Sequence, residues 1–270
     1  MPELPEVEVT RLGLEPRLTG HRVTNAVARV PALRYPLPDR LAQQLQGRTL
    51  RGIQRRGKYL LFDFGEGHLL IHLGMSGSLR LVGQSEAVEK HDHFDIVFDD
   101  KVLRLRDPRR FGAVLWLEGD PTRHPLLSNL GAEPLSRDFS TATLAVALCG
   151  RKVAIKPAIM NSAILVGVGN IYASESLFTA GIDPRSPAGK VSRSRLARLV
   201  PAIKDTLRAA IRAGGSSLRD YVACDGGLGD FQLRHKVYDR AGEPCRRCGS
   251  TIKMLRQANR ATYYCARCQR

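Results

Sequence analysis

Three observations predict an α+β fold of an N-terminal helix, a β-sandwich, a helical region and a metal-pinned hairpin. Short β-like runs fill residues 23–117, helical periodicity runs from 141 to 211, and two Cys-x-x-Cys pairs close the chain. At 270 residues the chain exceeds the usual size of one domain, so two domains and a small appendage are expected.

Residues 3–18 predict the first helix. Pro2 stands near its start, carboxylates fill its first turn, Val7, Leu12 and Leu14 give it an apolar side, and Gly20 ends it. The runs at 59–64, 68–73, 95–98 and 113–117 are separated by Gly, Asp and Pro turns, the pattern of a sandwich or barrel. Around Glu133-Pro134 the character changes. The last long helix there has apolar positions at Leu196, Leu199, Ile203, Leu207 and Ile211, with Pro201 expected to bend or restart it and Gly214-Gly215 to stop it. Residues 224–230, in the loop that follows Ser217, are too glycine-rich for a fixed element and predict a mobile loop. The predicted domains are residues 1–133, 134–236 and 237–270.

Lys and Arg number 42 against 26 Asp and Glu, a formal charge of +16, so the expected partner is a polyanion. No run of ~18 apolar residues could span a bilayer. The acidic, proline-containing start is unlike a signal peptide, which predicts a cytoplasmic protein. Cys149 and Cys224 read as buried or incidental thiols.

The other four cysteines carry chemistry. Cys245, Cys248, Cys265 and Cys268 enclose sixteen residues between two tight knuckles, a spacing that sets four thiolates around one tetrahedral Zn²⁺. A filled coordination sphere leaves no position for substrate, so the metal is structural. The intervening residues alternate as two strands. A ribbon that only stabilises the tail is one reading. Arg246, Arg247, Lys253, Arg256, Arg260, Arg267 and Arg270 against the single acid Glu243 favour phosphate contact.

Pro2 follows Met1 directly, a context in which the Met is removed to leave a secondary amine. An α-amine titrates near ~8 and a lysine near ~10.4, so the terminus offers far more unprotonated nucleophile at neutral pH. Attack on a sugar C1′ gives an iminium, and Glu3 and Glu6 share the helical face beside it. By composition alone, Pro and Glu here are also good helix-starting residues.

The run Pro2-Glu3-Leu4-Pro5-Glu6-Val7-Glu8 resembles the opening of the formamidopyrimidine-DNA glycosylase family of DNA repair enzymes. The segments Arg56-Gly-Lys-Tyr-Leu-Leu61, His72-Leu-Gly-Met-Ser-Gly-Ser-Leu79, Lys90-His-Asp-His93 and Asp107-Pro-Arg-Arg-Phe-Gly112 are similar to the same family. So are Gly167-Val-Gly-Asn-Ile-Tyr-Ala173, Gly226-Gly-Leu-Gly229 and the ending from Arg260, all in the family's order.

The resemblance implies a bifunctional enzyme that flips an oxidised purine such as 8-oxoguanine out of duplex DNA, removes it and cuts the strand by β,δ-elimination. It implies Pro2 as the Schiff-base nucleophile, Glu3 as the proton donor that opens the sugar, and Glu6 as a supporting group. Lys58 is implied at the lesion phosphates, and Arg260 at a neighbouring phosphate for the last elimination. Flipping a base leaves a gap that must be filled. Met75, Arg109 and Phe111 are the implied fillers, although by type alone Met75 and Phe111 suit a core.

His72, His91, Arg151, Lys156 and Asn170 complete the implied DNA contacts. Asn170 opens a helix after a glycine-rich turn, where unpaired N–H groups and the helix dipole favour phosphate. The family's usual Met-Asp before this turn is Met160-Asn161 here. The implied partner is double-stranded DNA with an oxidised purine or abasic site, bound by a monomer. Two alternatives share these features, an endonuclease VIII type glycosylase for oxidised pyrimidines and a non-catalytic damage-binding protein.

Overall fold

The computed structural model describes residues 2–216 and 230–270. Met1, Cys224 and the glycine-rich segment 217–229 lie outside the described residues. The chain forms two compact units, Met1–Ser128 with Ala213–Asp230, and Asn129–Arg212 with Phe231–Arg270.

In the first unit α1 (Leu4–Leu18) precedes eight strands: β1 (Val23–Ala28), β2 (Gly52–Arg56), β3 (Tyr59–Asp63), β4 (Gly67–His72), β5 (Ser78–Val82), β6 (Asp92–Phe98), β7 (Val102–Arg106) and β8 (Ala113–Glu118). Two short helices, α2 (Leu41–Leu45) and α3 (Pro125–Ser128), complete it. The strands pair antiparallel in two sheets, ordered β1-β6-β7-β5 and β2-β3-β4-β8. Phe62, Leu69 and Ile71 of the second sheet share one core with Phe94, Phe98 and Leu105 of the first, which is the predicted sandwich. Val7, Leu14 and Leu18 bring one face of α1 into that core. Arg55 of β2 bonds Glu8 of α1 at 2.7 Å and fixes the helix to the sheet.

The second unit holds α4 (Thr141–Leu148), α5 (Ile155–Ile159), α6 (Asn170–Ala180), α7 (Arg193–Arg212) and the hairpin β9 (Lys253–Gln257) and β10 (Arg260–Tyr264). Ser140 caps α4 by accepting from Thr143 N, and Gly181 ends α6 in the left-handed region at φ +70°. The hairpin packs with the helices: Phe178 of α6 clusters with Val237, Cys245, Ile252 and Cys265. Glu175 of α6, 2% exposed, accepts the backbone N–H groups of Lys236, Val237 and Tyr238, each at 2.9 Å, on the approach to the hairpin.

Three expectations are narrowed. α7 runs unbroken through Pro201. Pro201 and Ala197 are both exposed, so the carbonyl that loses its helical partner faces water. Of the apolar positions of α7, Ile211 is half-buried and the other four are buried. Cys149 is exposed, leaving of the two readings only an incidental thiol. Among the described residues no helix is long and apolar enough to cross a membrane.

Glu175→Ala strips the acceptor from three backbone donors and should lower the urea-unfolding free energy by about 2–4 kcal/mol. A loss under about half a kcal/mol would mean that water replaces the carboxylate without cost.

Candidate functional site

The start of α1 gathers the acids expected beside Pro2. Glu3 is the N-cap and Glu6 the third helical residue, and the two form a reciprocal capping box in which Glu3 N donates to Glu6 Oε2 at 2.8 Å. Both side chains are only 2% exposed, and Pro2 is buried beside them. Glu6 Oε1 accepts a second bond, from Ser216 N at 2.8 Å. Gly215, at φ +82°, permits this approach: a Cβ there would stand 3.1 Å from Glu6 Oε1. One carboxylate thus organises the helix start and holds residue 216, which bridges to Asp230 across the ends of 217–229. Burial works against the charge on nearby Glu8, but hydrogen bonds from Arg11 and Arg55 hold its pKa below the usual carboxylate range.

Lys58 sits in the two-residue turn between β2 and β3, made possible by Gly57 at φ +58°. This turn aims Lys58 from the tip of a hairpin, not from a strand surface. His72 pairs with Tyr59 across β3 and β4, their rings 4.9 Å apart. Its Nδ1 accepts from Gly74 N at 3.0 Å, which assigns the ring proton to Nε2. Burial, then the positive charges of Lys58 and Arg34, press its pKa down to about 4. His72 is therefore a neutral N–H donor beside Lys58.

Met75 and Phe111 are not core residues. Phe111 is 45% exposed and Met75 half-buried. Their loops touch backbone to backbone, since a Cβ on Gly74, at φ +64°, would fall 2.4 Å from the Phe111 carbonyl carbon. The Arg109 guanidinium lies over the Phe111 ring at 4.9 Å. His91 is half-buried and holds φ +78°, a conformation uncommon for a side-chain-bearing residue. The structure thus sets the loop that carries Met75 against the loop that carries Arg109 and Phe111.

In the second unit, Lys156 corrects the sequence reading. It is 1% exposed, and its ammonium donates to Asn170 Oδ1 at 2.6 Å, Ala261 O at 2.8 Å and Thr262 Oγ1 at 2.8 Å. No face remains for phosphate. Lys156 instead ties the first residue of α6 to β10, the strand that begins at Arg260. Arg260 is exposed and follows a tight turn in which Ala258 and Asn259 both have positive φ, 46° and 60°. Arg151 is exposed, as a phosphate contact requires. Asn161 Oδ1 accepts from Ala163 N at 2.9 Å. Asp would accept the same bond, so the substitution keeps the turn and drops only a charge.

The four cysteine sulfurs all lie within 4.8 Å of one another, with Cys245–Cys268 at 3.9 Å and Cys248–Cys265 at 3.5 Å. Tetrahedral Zn²⁺ with sulfurs at ~2.3 Å sets them about 3.8 Å apart, so this donor set fits one structural zinc. Arg247 N points at Cys245 Sγ at 3.4 Å, a backbone donor suited to a thiolate.

Sequence reasoning misses three contributors, the Ser216 amide, Thr262 and Glu175. Each acts through a partner from 61 to 210 residues away. Glu175, the one charged residue of α6, is the one signal the sequence offers.

The chain is similar to three family descriptions in succession. They are the formamidopyrimidine-DNA glycosylase N-terminal domain over residues 1–114, its H2TH domain over 130–222, and the zinc finger found in FPG and IleRS over 242–270. It is 59% identical to the formamidopyrimidine-DNA glycosylase of Thiobacillus denitrificans and 55% identical to that of Paraburkholderia phymatum, each aligned over 100% of both chains. Among solved structures, it matches a Lactococcus lactis FPG variant in complex with Fapy-dG containing DNA at TM-score 0.93 and 36% identity, covering 99% of both chains. MutM (FPG) protein from Thermus thermophilus matches at TM-score 0.90 and 38% identity, covering 99% of this chain and 98% of that one.

His72 gives a pH signature. With an unfolded value of 6.5 and a folded value of about 4, only the unfolded chain takes up its proton between them. Stability from this group therefore falls as pH drops from 6.5 to 4 and is flat above. His72→Gln should remove about 1–3 kcal/mol of that acid-side loss in urea unfolding at pH 7 and pH 4.5. An unchanged pH slope would refute the neutral assignment.

Proposed function

Because the chain belongs to the formamidopyrimidine-DNA glycosylase family, we propose that it removes oxidised purines, 8-oxoguanine and formamidopyrimidines, from duplex DNA and then cleaves the strand at the abasic site. The observation that carries the residue-level reading is the pair of acids, Glu3 and Glu6, each 2% exposed beside Pro2 at the start of α1.

Pro2, made terminal by removal of Met1, attacks C1′ of the flipped nucleotide. The bond from C1′ to the base breaks, and the proton released by the attacking amine neutralises the departing base. Glu3 then gives its carboxyl proton to the sugar O4′, and the ring opens as nitrogen forms a double bond to C1′. Loss of a C2′ proton expels the 3′ phosphate, and a second elimination expels the 5′ phosphate. Glu6 fixes Glu3 through the capping box and does not itself exchange protons. Lys58 and Arg260 neutralise the phosphates that gain charge as they leave.

Met75, Arg109 and Phe111 fill the gap left by the flipped base, with Arg109 facing the orphaned partner base. Their exposure and the stacked Arg109–Phe111 pair support this. Neutral His72 donates Nε2–H to a phosphate. His91, Arg151, Asn170 and the N–H groups opening α6 add backbone contacts. One Zn²⁺ held by Cys245, Cys248, Cys265 and Cys268 keeps the hairpin folded and takes no part in the chemistry. The partner is double-stranded DNA, bound by a monomer in the cytoplasm, and the net charge of +16 supports that partner.

Borohydride should trap a covalent adduct on 8-oxoguanine duplex, with the cross-linked peptide beginning at Pro2. Glu3→Gln should slow base removal by about 10²–10⁴-fold, while the adduct on a ready-made abasic site persists. An adduct on a lysine peptide, or none from protein whose mass shows Met1 removed, would overturn the proposal.

A further inference from the structure

We infer that Asp107 is a positioning residue that presets Met75, Arg109 and Phe111 in their gap-filling arrangement before DNA binds. The inference rests on the role given to those three side chains above.

Asp107 directly follows β7 and is fully buried. Its carboxylate reaches all three gap-filling positions. Oδ2 accepts from Gly112 N at 2.7 Å, the residue after Phe111. Oδ1 accepts from Arg109 N and from Ser76 Oγ, both at 3.3 Å, and Ser76 follows Met75. Its backbone extends the junction: Asp107 N donates to His91 O at 3.0 Å, and Asp107 O accepts from Arg110 N at 3.2 Å and His93 Nε2 at 3.1 Å. Thus one residue joins the loop after β4, the start of β6 and the loop before β8.

Two features show that this junction is built to a tight tolerance. His91 and Arg110 both sit at positive φ, 78° and 55°, conformations that persist only where surrounding bonds over-determine them. Gly112 has no room for a side chain, since a Cβ would lie 2.9 Å from Asp107 Oδ2 and 2.9 Å from His72 O. The bond to Asp107 therefore sets where the Phe111 backbone can lie.

Asp107 lies behind the wedge and touches neither the lesion nor Pro2. Its loss should impair only the steps that need a filled gap. Base removal from duplex and discrimination of the opposite base belong to that set. Cleavage of an abasic site in single-stranded DNA, which has no gap and no orphaned base, does not. A residue needed only for folding would impair both alike.

The test compares Asp107→Asn, which weakens the acceptor, and Gly112→Ala, whose Cβ crowds the same contact, on three substrates: 8-oxoguanine opposite C, 8-oxoguanine opposite A, and a single-stranded abasic oligonucleotide. Duplex excision should fall about 30-fold or more and the preference for C over A should shrink at least about fivefold, with single-strand cleavage kept within about threefold. Unchanged excision and preference in both variants, or an equal loss on single-stranded DNA, overturns the inference. Met75→Ala, Arg109→Ala and Phe111→Ala separate the underlying reading: if none alters duplex excision, the gap-filling role fails, whatever Asp107 does. Should Asp107→Asn not fold, Gly112→Ala decides by the same ratios.

Discussion

A carboxylate withdrawn from water needs hydrogen-bond donors in its place, and here backbone N–H groups supply them. Glu6 takes the amides of Glu3 and Ser216, Asp107 those of Arg109 and Gly112, and Glu175 those of Lys236, Val237 and Tyr238. Because each carboxylate is nearly or fully buried, no solvent can take over from a lost donor. The loop supplying the amides must therefore hold its shape. Each unit fixes irregular segments by this device, and the one held by Asp107 carries Arg109 and Phe111, proposed above to fill the gap in DNA.

Lys156 is the same constraint with the sign reversed. A buried ammonium needs oxygen acceptors, and it finds them at Asn170, Ala261 and Thr262. The start of α6 and the strand behind Arg260 consequently move as one body within their unit. The turn at Asn170 and the strand that begins at Arg260, both proposed above to hold phosphate, are thereby tied through one buried ammonium. Zinc secures the far end of that strand and Lys156 the near end.

The regular elements were legible in the sequence because their information is local. Short apolar runs between turns mark β3 and β4, the apolar spacing marks α7, and the two Cys-x-x-Cys pairs mark the hairpin base. The acids at the start of α1 were legible for the same reason, since Glu3 and Glu6 are three apart. The burial of Lys156, placed by resemblance among the DNA contacts, was not legible because two of its acceptors lie 105 and 106 residues further on. That the helix does not restart at Pro201 was not legible, because this depends on what the freed carbonyl faces, which is a tertiary fact. Asp107 stood inside a recognised segment, yet its work concerns Ser76, 31 residues away.

Gly74 and Phe111 meet with no space for even a methyl group between their backbones. The two loops are in this sense a single manufactured part. An engineer who wished to alter which base is tolerated opposite the lesion could not graft either loop alone from a relative, since the donor's turn would collide with the resident one. The exchangeable module is the pair, transplanted together with the aspartate beneath it.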